Sequence, residues 1–391
     1  MINKKLKVGN VPNLRFPEFT EEWETKKLGE ILEFKNGINA TKEQYGSGYK
    51  FINVLDILNN EFITHDKIIG SVNVNEEIID KFPVNYGDIL FQRSSETREE
   101  VGTTSVYLDK DKTATFGGFV IRGKKIGEYE PIFLNKSLKT DLVRNQITSK
   151  SGGSTRYNIG QEILASVTLH FPSLNEQTKI ASFLSLIDSR IQTQNKIIEQ
   201  LETLIKGLSE KLFSQEIRFK EFTDKWELKK LGDISTITTG SSNREDSILN
   251  GEYTFFDRSQ DIRTSSRFLF DKEAVIVPGE GQEFIPKYFI GKFDLHQRTY
   301  AIFDFRGING KYLYYHLLND DKYLQSQAVG STVKSLRLPM FQSMPIKSPC
   351  LDEQTTIANF LSVIETKIQT EKNILDKYHS QKQYLLQNLF I

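Results

Sequence analysis

Cysteine occurs once in the 391 residues, at Cys350, and histidine five times, at His65, His170, His296, His316 and His379, with no i, i+4 pairing among them. A disulfide framework and a cysteine-based zinc module are thereby excluded, no metal site is expected, and the usage fits a reducing cytosol. No apolar run of about 18 residues occurs, and the N-terminal segment carries lysines without an apolar stretch of signal-peptide length. The chain is therefore expected to be soluble and cytoplasmic, with no membrane role. An excess of one charge is also missing, since 51 Lys+Arg face 51 Asp+Glu. A diffuse polycation that coats nucleic acid is ruled out, so any nucleic-acid face must be local.

Catalytic signatures are missing as well. There is no Walker-type phosphate loop and no G-x-G-x-x-G between a strand and a helix, so nucleotide hydrolysis is not expected. No Asn/Asp-Pro-Pro-aromatic tetrapeptide of the amino-methyltransferase type occurs, and Phe116-Gly117-Gly118 alone does not make a cofactor loop. Glu-x-Lys triplets such as Glu24-Thr25-Lys26 and Glu365-Thr366-Lys367 are commonplace in a chain that is 26% charged. No G-x-S-x-G elbow is present, and Cys350, in Ser-Pro-Cys-Leu at a helix start, reads as a small buried residue rather than a nucleophile. A binding or organising protein is the reading left.

What the chain does contain is an internal repeat. LRFPEFTEEWETKKLGEI at 14–31 returns as IRFKEFTDKWELKKLGDI at 217–234, identical at 12 of 18 positions, including Arg15/Arg218, Phe16/Phe219, Trp23/Trp226 and Gly29/Gly232. LNEQTKIASFLSLIDSRIQT at 174–193 returns as LDEQTTIANFLSVIETKIQT at 351–370, identical at 13 of 20. The two offsets, 203 and 177, differ by 26 residues, so matched blocks enclose unmatched regions: A, variable 1, B, A, variable 2, B. Only fragments of the variable regions recur, chiefly Gly153-Ser154-Thr155 and Gly330-Ser331-Thr332.

The B blocks carry a heptad seam. Ile180, Leu184, Ile187, Ile191, Gln194, Ile198, Leu201, Ile205, Leu208 and Leu212 alternate steps of four and three, as do Ile357, Leu361, Ile364, Ile368, Glu371, Leu375, Tyr378, Lys382, Leu385 and Leu389. From Pro172 or Pro349 to Phe213 or Phe390, each block makes a helix of roughly 50 to 60 Å at 1.5 Å per residue. Such a seam can pack on its own domain, but two matched copies favour packing on each other. Chain order then requires the second helix to run back antiparallel to the first, with the two domains at opposite ends of the pair. Gln194 and Glu371 occupy one repeat position and either set the register or mark exposed breaks at a partner contact.

Short apolar runs bounded by turn residues predict strands at 49–54, 88–91 and 119–121 in the first variable region, and at 252–256, 274–277, 288–290 and 300–305 in the second. Helices are predicted at 133–149 and 310–327. Both regions read as α+β. Loops after these strands are rich in the side chains that read base edges and hold phosphates. In the first region the candidates are Arg93, Ser94, Arg98, Arg122, Lys124, Ser154, Thr155, Arg156 and Tyr157; in the second, Arg258, Arg263, Arg267, Gln282, His296, Arg298, Ser331, Thr332 and Lys334. For each of them a solvated loop is the competing reading, and for the Gly-Ser-Thr turns a plain helix-to-strand connection. Between 233 and 350, 14 basic residues meet 14 acidic ones, so affinity requires a one-sided distribution or partners.

With this layout, Leu-x-Glu-Gln-Thr-x-Ile-Ala-x-Phe-Leu-Ser at 174–185 and 351–362, and Trp-Glu-x-Lys-Lys-Leu-Gly at 23–29 and 226–232, the chain resembles the specificity (S, HsdS) subunits of type I restriction-modification systems over essentially its full length. The resemblance implies two target recognition domains, each reading half of a bipartite asymmetric site in double-stranded DNA, and two long antiparallel helices forming a coiled-coil spacer between them. It implies a non-catalytic chain without cofactor. Two modification subunits would bind S-adenosylmethionine and methylate adenine N6, and restriction subunits would use ATP and Mg²⁺. The segments become an arm at 1–13, domains at 14–172 and 214–349, and spacer helices at 173–213 and 350–391. Base-reading residues do not carry over by resemblance, and tight DNA binding is expected only with the modification subunits present. The alternative is a tandem coiled-coil scaffold that binds proteins.

Overall fold

The computed structural model describes residues 9–391; the first eight, and with them most of the arm expected at 1–13, lie outside the described residues. The fold is α+β. One compact unit runs to Thr193 and takes in Leu375–Ile391, and the other is Gln194–Ile374. Two helices, Leu174–Phe213 of 40 residues and Leu351–Asn388 of 38, each contribute to both units.

The first unit is built on a five-stranded sheet in the order Leu32–Asn36, Val120–Lys125, Ile89–Gln92, Thr104–Tyr107, Phe62–Ile63, antiparallel except for its last pair. Alternate residues of its inner strands enter different cores, as the two-residue period of a strand requires. Ile89, Phe91, Val106 and Ile121 join Phe133 and Leu134 of a helix, whereas Leu90, Tyr107 and Val120 join Ile52 and Phe116 on the other face. The second unit repeats the scheme on six strands, Thr236–Thr239, Thr299–Phe303, Phe270–Pro278, Lys287–Leu295, Tyr253–Phe256 and Arg263–Ser265. Val275, Val277 and Ile302 face one core there, and Ala274, Ile276 and Ala301 the other.

Each helix predicted before the Gly-Ser-Thr turn is two helices. Pro131–Ser137 and Asp141–Ser149 are interrupted because Thr140 is extended (φ −70, ψ 150), and Gly310–Asn319 and Asp321–Gln327 because Asp320 leaves helical geometry (φ −110, ψ 58). The strand predicted at 49–54 ends at Ile52, since Asn53 caps the helix Val54–Asn59 and its amide N–H donates to Asp56 at 2.7 Å. Cys350, read as buried, is exposed; Ser348 and Pro349 before it take the buried positions.

The identical residues of the repeat fasten each A block to its B block. Arg15 donates to both oxygens of Glu176 at 2.8 Å, and Trp23 Nε1 donates to the same carboxylate at 3.4 Å. In the second unit Arg218 grips Glu353 at 2.7 Å through two bonds and Trp226 Nε1 donates at 3.4 Å. Gln177 and Gln354 donate to the carbonyls of Pro172 and Pro349, and accept from the backbone N–H of Glu130 and Asn309, the caps of the domain helices. The two-stranded ribbons Glu24–Lys27 with Thr168–Phe171 and Glu227–Lys230 with Pro345–Ser348 complete each junction.

All the seam positions are buried or half-buried. In the second unit Gln194 Nε2 donates to the Glu371 carbonyl at 3.1 Å and to its carboxylate at 2.5 Å, and Leu212 shares a core with Ile357 and Leu361, so the two helices run antiparallel there. Glu371 is held below its ordinary pKa by Lys367 and then by Gln194. In the first unit Ile180, Leu184, Ile187 and Ile191 share a core with Leu385 and Leu389. No helix of the described residues is long and apolar enough to cross a membrane.

Candidate nucleic-acid interface

A small antiparallel arm in each unit brings together residues that are far apart in sequence. In the first unit Ser94–Ser95 pairs with Tyr157–Asn158; in the second Glu280–Gly281 pairs with Lys334–Ser335. The returning strand follows the Gly-Ser-Thr turn in both cases. Gly153 and Gly330 stand at φ +120 and +125, where a Cβ would lie 2.0 and 2.2 Å from the carbonyl oxygens of Arg156 and Val333. Only glycine makes this turn without strain, which gives the recurring Gly a geometric cause.

On the first arm Ser154, Thr155, Arg156 and Arg98 are exposed and Tyr157 is half-buried. The Arg98 guanidinium lies 5.1 Å from the centre of the Tyr157 ring, a cation–π contact that orients it. Among the described residues no acidic side chain pairs with Arg98 or Arg156. Arg93 braces the arm, with its Nη1 donating to the Gly118 carbonyl at 3.2 Å, and the Ser94 hydroxyl donates to the Asn158 side chain.

Arg122 and Lys124 do not join this group. Arg122, chosen as a DNA contact, is 4% exposed on an interior strand, with its guanidinium donating to the Pro83 carbonyl and lying over the Phe116 ring. Burial lowers its pKa, with Asp88 and Glu33 opposing. It is a core residue, out of reach of DNA. Lys124 is exposed, but the register of Val120 with Gln92 and Gly123 with Ile89 puts it toward the opposite end of the strand from Arg93.

The second unit brings three of its candidates, Arg258, Gln282 and His296, to a cavity of about 410 Å³ whose lining also includes Arg244, Asp257 and Glu280. Glu280 takes Arg258 Nη1 at 3.0 Å and Arg298 Nη1 at 2.6 Å. Asp257, 3% exposed, accepts from Arg263 Nε at 3.1 Å and from the Ser259 amide at 2.7 Å, with Arg244 at 4.0 Å. Burial alone would raise the Asp257 carboxyl, but Ser259 and the guanidinium groups outweigh it and hold it low; Arg298 and Arg258 hold Glu280 low despite its partial burial. Four arginines thus meet two ionised carboxylates.

His296 is kept neutral by partial burial, against the pull of Asp257, and its Nδ1 accepts the Arg298 backbone N–H at 3.0 Å. The ring proton then sits on Nε2, a neutral donor at the cavity. Gln282 Nε2 donates to the Thr332 carbonyl of the Gly-Ser-Thr turn at 3.4 Å, and Lys334 Nζ to Gln325 of the preceding helix at 3.3 Å, while Ser331 and Thr332 are exposed. Arg267 is turned elsewhere. It donates to Ser242 at 2.9 Å and lies 3.7 Å from fully buried Asp294.

Sequence reasoning missed Arg244, although Gly240-Ser241-Ser242-Asn243 before it marks a turn. It also missed a buried ionic node in the first unit. Lys136, 1% exposed, contacts Glu61 and Asp188 at 2.5 Å; Lys382 contacts Asp188 at 2.7 Å, and Lys139 lies 3.5 Å from Glu61. At the corresponding place in the second unit Tyr315 and Tyr314 donate to Glu365 at 2.7 and 3.0 Å. Among the described residues no group of three or more His, Cys, Asp or Glu could hold a metal ion.

A family model described as the type I restriction modification DNA specificity domain matches residues 20–203 and again 223–377. A putative type I restriction enzyme MjaX specificity subunit of Methanocaldococcus jannaschii is 24% identical over 418 residues, 98% of this chain and 94% of that one. The type I restriction enzyme EcoDI specificity subunit of Escherichia coli is 29% identical over 152 residues, 39% of this chain and 34% of that one. Among solved structures, the crystal structure of a type I restriction-modification S subunit from M. genitalium covers 97% of this chain and 99% of its own at 18% identity, with a TM-score of 0.63, a likeness of fold.

Proposed function

Since the chain belongs to the family of type I restriction modification DNA specificity domains, we propose that each α+β domain, 14–172 and 214–349, reads one half of a bipartite, asymmetric site in double-stranded DNA. The helices at 173–213 and 350–391 act as a coiled-coil spacer that fixes the distance between the half-sites. One observation carries the reading: both units build the same arm on the same frame but fill it with different side chains, Arg98 over Tyr157 in one and the Arg258–Glu280–Arg298 group in the other. Shared geometry with unlike contents is what two readers of unlike sequences require.

The chain itself is proposed to be non-catalytic and without cofactor, acting in the cytoplasm. Methylation of adenine N6 would come from two modification subunits carrying S-adenosylmethionine, and cleavage from restriction subunits using ATP and Mg²⁺. The number two is supported by exposed apolar residues at matching repeat positions of the long helices: Leu174 and Leu351 at 47% and 52%, Leu186 and Val363 at 62% and 69%. Apolar surface repeated in this way fits two copies of one partner. The test is a single-base adenine-methylation map of the source cell with and without this gene. Loss of one bipartite motif is expected; an unchanged map, with the modification subunits expressed, would refute the reading.

A further inference from the structure

In the second unit the geometry points to Glu280 as a positioning residue that holds Arg258 and Arg298 apart as a two-pronged reader of guanines in one half-site. The inference rests on the half-site role proposed above. Each guanidinium gives only its Nη1 to Glu280, one to each carboxylate oxygen. Nε and Nη2 of both arginines have no hydrogen-bond partner among the described residues, and the side chains are 52% and 56% exposed. Two adjacent free donors in a fixed plane are what bidentate binding to guanine O6 and N7 needs.

Without the carboxylate, two neighbouring cations would repel each other and sample many rotamers. Glu280, 16% exposed at the foot of the arm, supplies both neutralisation and a common anchor. The arrangement is particular to this unit. The pairing places Glu280 opposite Ser335 and Ser94 opposite Asn158, and at Ser94 a hydroxyl–amide contact replaces the carboxylate. A fork of this kind is therefore assigned to one half-site only.

The experiment uses the assembled methyltransferase with the full chain, in a host lacking other adenine methylation, and reads the methylated motif by single-molecule sequencing. Arg258→Ala and Arg298→Ala should each relax one G·C position of the same half-site, by about ten- to a hundredfold in preference, and leave the other half-site unchanged. Glu280→Gln should relax both positions, and Glu280→Asp should retain more selection than Gln. Unchanged motifs in all the variants would overturn the fork while leaving half-site reading intact, and relaxation in both half-sites would overturn it too. If the wild-type chain directs no bipartite motif at all, the half-site reading itself fails. Where an alanine variant melts early, Arg258→Lys or Arg298→Lys decides, because lysine keeps the charge but loses the bidentate fork and must relax the same position.

Discussion

Replacing Glu61 by glutamine removes one charge from the node formed with Lys136, Lys139, Lys382 and Asp188, and its effect can be worked out from the titration of that carboxyl. Burial alone would raise the Glu61 pKa, but Lys139, Lys136 and Lys382 together bring it from 4.5 down to about 2. A depressed carboxylate stabilises the folded state above its unfolded pKa, and the stabilisation is lost as pH falls through the folded value. The difference amounts to about 3 kcal/mol at pH 7 and about 1 kcal/mol at pH 3, at roughly 1.4 kcal/mol per unit. Glu61→Gln should therefore destabilise the first unit by about 3 kcal/mol at pH 7, and by roughly a third of that at pH 3. The chain has two tryptophans, Trp23 in the first unit and Trp226 in the second, so in a Trp226→Phe background fluorescence reports on the first unit alone. In urea titrations the midpoint should fall by roughly 1 M at pH 7, for a slope of about 3 kcal/mol per M. An unchanged midpoint at pH 7, or equal losses at both pH values, would refute the electrostatic account of the node.

Arg15→Ala leaves Glu176, 2% exposed, as an uncompensated buried charge and should cost about 3 kcal/mol in the first unit, with Trp23 emission shifting because its indole shares that carboxylate; a neutral substitution would show the clamp to be incidental. Gln194→Leu removes the interhelical hydrogen bond to Glu371 and leaves that carboxylate to Lys367 alone, and should lower the melting temperature, whereas Gln194→Leu with Glu371→Leu should melt above either single variant; a double variant less stable than both would mean that the polar pair stabilises the seam. Gly330→Ala forces a Cβ against the Val333 carbonyl and should weaken selection at one half-site in the methylation map, Gly153→Ala at the other; if both glycines act on the same half, the assignment of one arm to each half fails. Inserting four residues within 190–205 should alter the spacing between half-sites and neither half-site sequence, so altered half-site sequences would sink the ruler model.

The helical seam was legible because a heptad is a local signal: alternating steps of four and three name the buried face without knowledge of the partner. The strands were legible in position more than in extent, for the same reason. Each domain helix splits in two, and no proline or glycine marks the break at Thr140 or Asp320. Loop chemistry was a poorer guide. Arg122 follows an apolar run, as a loop residue would, but its strand continues to Lys125 between two neighbours and buries the guanidinium. Lys136 carries no signal at all, because a lysine on a short helix reads as surface until Glu61 and Asp188 are placed beside it. The arms could not be read either, since Ser94 and Asn158 lie 64 residues apart in sequence and meet only in the folded sheet.

What the two copies keep and what they change separate along physical lines. Among the identical residues are those whose contacts demand one geometry: a bidentate arginine on a buried glutamate, an indole on the same oxygen, a glutamine bridging a proline carbonyl to a helix cap. Where a contact needs only a donor for an acid, the donor drifts, so Lys136 on Asp188 becomes Tyr315 on Glu365. At the arms identity is lost, and Ser94 and Tyr157 correspond to Glu280 and Lys334. Junctions that orient a domain on its helix are therefore constrained by geometry, while the arm residues differ within the same frame. A conservative change at a junction, such as Arg218→Lys, loses the two-point grip on Glu353 and should disturb the second unit, including the half-site assigned to it, more than any single change at an exposed arm position. The methylation map discriminates: loss of the whole half-site for Arg218→Lys, against relaxation of one base pair for Arg258→Ala.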